Sequence, residues 1–120
     1  MVVTLAACGG DGDTAGSTVE SYPANGLTDS VLAIDNNFLP QTLTVVAGTE
    51  VVFENAGHNP HNVVPADDPI ATEWGVLDAH FLPDATYSHV FATPGTYTFY
   101  CTIHGSAKAG MVGTIEVTAP

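Results

Sequence analysis

From Val31 onward the chain alternates between short apolar runs and clusters of turn-forming residues. The runs are rich in Val, Ile, Leu, Thr, Phe and Tyr, and Gly, Pro, Asn and Asp separate them at intervals of about eight to twelve residues. No stretch shows the period of an amphipathic helix. The pattern predicts an all-β Greek-key sandwich or barrel of about seven to eight strands. The strands are expected near residues 31–35, 42–46, 50–54, 61–64, 86–91, 96–101 and 112–118.

The segment Gly95-Thr96-Tyr97-Thr98-Phe99-Tyr100-Cys101 shows the clearest alternation. Because successive side chains of a strand point to opposite faces, Tyr97, Phe99 and Cys101 share one face. We expect that face to point inward and to bury the Cys101 thiol. Residues 65–85 are less regular, with Pro-bounded loops around Trp74 and room for one turn of helix.

The N-terminal part of the chain lacks this pattern. Residues 9–30 are rich in Gly, Ser, Thr, Asp and Ala and show no periodicity, so they are predicted to form a flexible tether. The predicted organisation is therefore a residual signal at 1–8, a tether at 9–30 and one folded domain at 31–120.

The leader ends in Leu5-Ala6-Ala7-Cys8 and resembles a bacterial lipobox. The resemblance implies cleavage before Cys8 and a diacylglycerol on its sulfur. The chain would then be exported, to the periplasm or the outer face of the cytoplasmic membrane, and tethered to that membrane. The charged and most of the apolar regions of an export signal are missing, so an unmodified Cys8 remains the alternative.

Composition limits the size and the partners of the protein. With 120 residues, 12.4 kDa and 45% hydrophobic residues, the chain is expected to form a single core. Thirteen acidic residues and a single basic one, Lys108, give a formal net charge of -12. Nucleic-acid binding is excluded because phosphate contacts need clustered Lys or Arg. A basic surface on a protein partner suits this charge better.

The segment from Cys101 to Met111 carries the most informative chemistry. It contains a thiol, the imidazole of His104 and a thioether within eleven residues, and His61 stands 40 residues before Cys101. A blue-copper site needs two imidazoles and a thiolate in a trigonal arrangement, with a weak axial thioether. The sequence therefore predicts one copper ion bound by His61, Cys101, His104 and Met111.

Other metal functions fit these residues less well. Structural zinc usually takes a fourth His or Cys at short spacing, and none follows here. Proteins that store or deliver copper usually offer several Met or Cys donors, and this chain has two of each. His58 remains a competitor of His61 for the upstream position.

Two segments resemble the plastocyanin-like branch of the cupredoxin family over about residues 31–118. They are Asn55-Ala56-Gly57-His58-Asn59-Pro60-His61-Asn62-Val63-Val64 and Pro94-Gly95-Thr96-Tyr97-Thr98-Phe99-Tyr100-Cys101, the latter followed by His104 and Gly110-Met111-Val112-Gly113.

The resemblance implies a cupredoxin fold and a type 1 copper site that carries single electrons between Cu(I) and Cu(II), with no catalytic residues. It implies that Asn62, which follows His61, ties the two ligand segments together, and that Pro60, which precedes His61, supports the site without binding the metal. It also implies that His104 lies near the surface and that redox partners dock beside it. Such a small carrier is expected to be monomeric. Candidates for the exposed residues around this electron port are Gly57, Pro60, Gly105 and Ala107.

The chain departs from the family pattern at two places. Six residues separate His104 from Met111, which implies a lengthened ligand loop, and the first-ligand turn has an extra residue at His58. The alternative function is a small mononuclear copper oxidoreductase resembling red-copper proteins. It would share His61, Cys101 and His104 but would lack the Met111 bond and keep an open position for substrate.

Overall fold

The computed structural model describes residues 20–68 and 70–120, in which two four-stranded sheets pack face to face. One sheet has the order β2-β1-β4-β6 and the other β3-β8-β7-β5, so the predicted all-β sandwich is confirmed. Between residues 70 and 85 the chain forms a 3₁₀ turn, Asp78–His80, in the region where the sequence left room for one turn of helix. The strands are β1 Thr28–Ile34, β2 Asn37–Leu39, β3 Thr42–Val46, β4 Thr49–Asn55, β5 Val64–Pro65, β6 Thr86–Phe91, β7 Gly95–Gly105 and β8 Gly110–Thr118.

Each sheet combines parallel and antiparallel pairs. β1 runs parallel to β4 in one sheet, and β3 runs parallel to β8 in the other. The turn at Ala47 and Gly48 carries the chain from β3 in one sheet to β4 in the other. Gly48 has a φ of +98°, a conformation that favours glycine, so the chain can turn sharply at this position.

The core lies between the sheets and is built from the inward positions of each strand. Phe99 and Cys101 of β7 are fully buried and Tyr97 is half-buried, which confirms the predicted inward face. The ring of Phe99 packs edge-on against Phe38 and Phe53, with centroids 4.7 and 5.4 Å away. Each such buried side chain contributes about 1.5–3 kcal/mol, so this cluster anchors β7 immediately before Cys101.

Two short strands differ from the prediction. β2 was not among the strands placed from the residue pattern, because it has three residues and a single buried one, Phe38. The strand predicted at 61–64 is reduced to β5 at Val64–Pro65, at the edge of its sheet. Pro65 has no N–H to donate to a further strand, which suits it to this edge position. His61 and Asn62 therefore lie in irregular backbone just before β5.

The packed domain begins earlier than the predicted boundary at residue 31. β1 begins at Thr28, the Tyr22 amide donates to the Ala92 carbonyl at 2.8 Å, and the Asn25 amide donates to the Gly48 carbonyl at 3.0 Å. These bonds fix part of the segment predicted as tether against the sandwich. Residues 1–19, including Cys8, lie outside the described residues. Within the described part of the chain no helix has the length and apolarity needed to cross a bilayer.

Candidate metal centre

Three predicted ligands meet at one end of the β3-β8-β7-β5 sheet. The Cys101 Sγ atom lies 3.7 Å from His61 Nδ1 and 3.6 Å from His104 Nδ1. One donor atom from each of the three residues lies within 4.8 Å of the others, the only such His, Cys, Asp or Glu cluster among the described residues. His61 and Cys101 are fully buried, whereas His104 is partly exposed. The three side chains can therefore bind one metal ion from a site that opens on the His104 side.

An irregularity in the β7–β8 pairing brings Cys101, His104 and Met111 together. Tyr100 pairs with Val112 and Gly105 pairs with Gly110, so the four residues 101–104 of β7 lie opposite Met111 alone. Extra residues on one strand bend it and redirect its side chains. Met111 is fully buried and belongs to the same core cluster as Cys101.

The six residues between His104 and Met111 form a closed hairpin rather than a loose loop. The Gly105–Gly110 pair closes the hairpin, and the Ser106 amide donates to the Ala109 carbonyl at 2.8 Å. Gly110 has a φ of +83°, and a Cβ atom on Gly105 would collide with the Met111 amide nitrogen. The extra length implied by the sequence therefore projects beyond the site and leaves Met111 opposite Cys101 and His104.

A buried asparagine at the end of β4 shapes the turn that leads to His61. The Asn55 side chain donates to the Asn59 carbonyl at 2.9 Å and to the Phe81 carbonyl at 2.8 Å, and it accepts the Gly57 amide at 3.0 Å. Its role was missed in the sequence analysis, although Asn55 continues the inward phase of Val51 and Phe53. A polar residue on a buried face is expected to be hydrogen-bonded, so the position of Asn55 in the strand pattern could have indicated a structural role.

Asn62 joins the two ligand segments. Its Oδ1 accepts the Thr102 amide at 2.9 Å, and its Nδ2 donates to Thr102 Oγ1 at 2.9 Å. Because Asn62 follows His61 and Thr102 follows Cys101, these two bonds fix the distance between the ligands of different segments. This is the role that the resemblance implied for Asn62.

The remaining predicted residues lie at the rim. Pro60 is exposed, and Gly57, Gly105 and Ala107 are partly buried. The His58 side chain is 91% exposed and contacts Asp35, with His58 Nδ1 3.6 Å from Asp35 Oδ1. His58 therefore lies outside the donor cluster and does not replace His61.

Burial keeps His61 in the form that binds metals. It lowers the pKa of the imidazole, the neighbouring His104 lowers that pKa further, and the Asp35 charge opposes both effects. A neutral imidazole has a free lone pair for coordination, so His61 is ready to bind at neutral pH. Two imidazoles, a thiolate and a buried thioether form the donor set that copper proteins use for electron transfer. The residues present thus fit a copper ion.

Known proteins are similar to this chain in sequence and in architecture. The family described as copper binding proteins, plastocyanin/azurin family, matches residues 30–118. Plastocyanin of Rumex obtusifolius is 37% identical over 87 residues, which cover 67% of this chain and 86% of that protein. Chloroplastic plastocyanin of Silene latifolia subsp. alba is 34% identical over 122 residues, covering 96% of this chain and 70% of that protein.

A solved structure agrees with these matches. Oxidised plastocyanin of Dryopteris crassirhizoma superposes with a TM-score of 0.57 at 31% identity, covering 74% of this chain and 99% of that one. The family match spans most of the chain and includes all four predicted ligands. The chain therefore belongs to the plastocyanin/azurin family of copper-binding proteins.

Proposed function

We propose that His61, Cys101, His104 and Met111 form the type 1 copper site through which this electron carrier works. The observation that carries the proposal is the position of the Cys101 thiol, 3.7 and 3.6 Å from the two Nδ1 atoms and in the same core cluster as buried Met111. A bound copper ion supplies a one-electron couple between Cu(I) and Cu(II).

The protein contributes rigidity and exclusion of water. The Phe99 cluster and the Asn62 bonds hold the donor atoms in place, and full burial of His61 and Cys101 keeps solvent from the inner side. A donor set held in this way changes little between oxidation states, which lowers the cost of reorganisation during transfer. The red-copper alternative requires an open position, and Met111, buried opposite Cys101, argues against one.

Electron exchange is proposed to run through the His104 edge. His104 is the partly exposed ligand, and its neighbour Ile103 is 48% exposed, so a partner can contact an apolar surface beside the imidazole. The net charge of -12 favours redox partners with basic surfaces. The rate of electron exchange with such a partner should therefore fall as the salt concentration rises.

Location is proposed from the N-terminal sequence. The Leu5-Ala6-Ala7-Cys8 motif, followed by Gly- and Asp-rich sequence, supports export and lipid attachment at Cys8, on the outer face of the cytoplasmic membrane. Expression in a bacterium with labelled palmitate tests this. Label should enter the protein and be lost in Cys8→Ser, and an unlabelled protein with an intact leader would refute the anchor.

Absorption spectroscopy with added Cu(II) tests the copper site. One equivalent should produce an intense band at roughly 600 nm that a mild reductant bleaches reversibly, as expected for a thiolate in a trigonal copper site. Cys101→Ser should remove the band but leave the circular dichroism of the sandwich unchanged. His61→Ala should weaken or lose it.

His58→Ala is the matched control, because it removes the other imidazole of the same turn. It should keep the wild-type band. A strong band in Cys101→Ser, or equal losses in His58→Ala and His61→Ala, would overturn the ligand assignment.

A further inference from the structure

The outer nitrogen of the His61 ring is buried without a protein partner. His61 is fully buried, and its Nε2 atom has no hydrogen-bond partner among the described residues. Its Nδ1 atom faces the Cys101 thiol. Histidines that bind metals almost always donate the other ring N–H to a carboxylate, a carbonyl or water, and a buried donor without any partner is costly. The surroundings of Nε2 therefore matter for the copper site.

The negative charge that acts on His61 is the Asp35 carboxylate. It lies on the other side of the space beside Gly57. A Cβ atom on Gly57 would lie 3.0 Å from His61 Nε2 and 3.0 Å from Asp35 Oδ1. Because both atoms lie that close to one point, they are no more than about 6 Å apart, within the range over which an opposite charge shifts a neighbouring group. Glycine at this position keeps the path between them free of side-chain atoms.

The backbone of the lengthened first-ligand turn holds the carboxylate in place. The His58 amide donates to Asp35 Oδ1 at 3.1 Å. The Asp35 side chain is 54% exposed, and this bond lowers the pKa of its carboxyl group, so the carboxylate is ionised at neutral pH.

We propose that the ionised Asp35 carboxylate is the outer partner of the His61 imidazole, favouring its Nε2–H tautomer and stabilising Cu(II) over Cu(I). This inference rests on the proposed copper site. A nearby negative charge favours the more positive oxidation state, so Asp35 lowers the midpoint potential of the one-electron couple. Asp35 is a positioning residue: it acts on the metal through His61.

Redox titration of two matched variants tests the effect on potential. Asp35→Asn removes the charge but keeps an oxygen that can accept the His58 amide. Asp29→Asn makes the same change on an exposed residue near the opposite end of β1. In Asp35→Asn the preference for Cu(II) over Cu(I) should fall about tenfold, a rise of about 59 mV in midpoint potential. Asp29→Asn should move the potential far less, and equal shifts in the two variants would overturn the proposal.

Nitrogen-15 NMR of the copper-free protein separates this inference from the copper assignment. The His61 ring should be mainly the Nε2–H tautomer in the wild type and in Asp29→Asn, and should shift toward the Nδ1–H tautomer in Asp35→Asn. An unchanged tautomer in Asp35→Asn would overturn the pairing. An Asp35-dependent tautomer in a protein that forms no 600-nm band would refute the copper site and leave the pairing intact.

Discussion

Removing the Asn62 side chain should loosen the connection between the two ligand segments by a measurable amount. Asn62→Ala deletes both bonds to Thr102, each 2.9 Å long. A net hydrogen bond contributes about 0.5–1.5 kcal/mol, so the loss should be about 1–3 kcal/mol. Thr102 is exposed, and water replaces part of what it loses, which places the expected cost near 2 kcal/mol or below. For a domain of this size the melting temperature should fall by roughly 10 °C.

A double-mutant cycle isolates the connection from other effects of the substitution. Thr102→Val removes the Oγ1 bond and keeps the amide bond, so it should cost about 1 kcal/mol. The double variant should be about as stable as Asn62→Ala, because Thr102 then has no bond left to lose. The coupling energy should therefore be about 1 kcal/mol.

Thermal unfolding followed by circular dichroism measures each variant of the cycle without copper. A second series with copper bound should show a shifted visible band in Asn62→Ala and a nearly unchanged one in Thr102→Val, since only the former frees the two segments. Additive losses of stability, or an unchanged melting temperature in Asn62→Ala, would refute the reasoning.

Three further changes test the core, the hairpin and the pH dependence. Gly113→Ala places a Cβ atom 2.5 Å from Phe99 Cζ, and this overpacking should cost about 1–3 kcal/mol in chemical denaturation. Gly110→Ala puts a side chain at a φ of +83°, so calorimetry should show a loss of about 1–2 kcal/mol. Burial lowers the pKa of His89, which stacks on Trp74, so the folded state binds fewer protons there than the unfolded chain. With copper bound, stability should therefore fall as the pH drops below about 6.5, and less so in His89→Gln.

The strands that could be predicted are those with a repeated local pattern. In β7 the inward positions alternate with outward ones over several residues, and the predicted face, including Phe99 and Cys101, is the buried one. β2 has one buried residue, Phe38, and no repeat can be detected in a single position. The hydrogen bond between Tyr22 and Ala92 joins residues far apart in sequence, so composition alone made the N-terminal segment resemble a tether.

The candidate site likewise has features that the sequence predicts and features that only the structure shows. The types and spacing of His61, Cys101, His104 and Met111 are local properties, and the predicted donor set rests on them. The closed hairpin depends on the pairing of Gly105 with Gly110, a contact that spacing does not encode.

The proximity of Asp35 to the His61 ring is harder still to predict from the sequence. It needs the ends of β1 and β4 to lie side by side, as in the pairing of Ala33 with Asn55, and a glycine at position 57 that leaves the space open. Parallel pairing of these two strands is a tertiary property, so the sequence carried no local signal for it.

The closed hairpin between His104 and Met111 separates the residues that hold the metal site from those that can contact a partner. The Gly105–Gly110 pair joins β7 to β8, the strands that carry the predicted donors Cys101, His104 and Met111, whereas residues 106–109 form a tip beyond that pair. The tip carries Lys108, the single Lys or Arg of the chain. We expect that the tip can change in length or sequence without moving the predicted copper ligands. Selection for a new partner would then act on the tip, and selection for a given redox potential on the residues that hold the donor atoms. A recognition peptide could be grafted into the tip for the same reason.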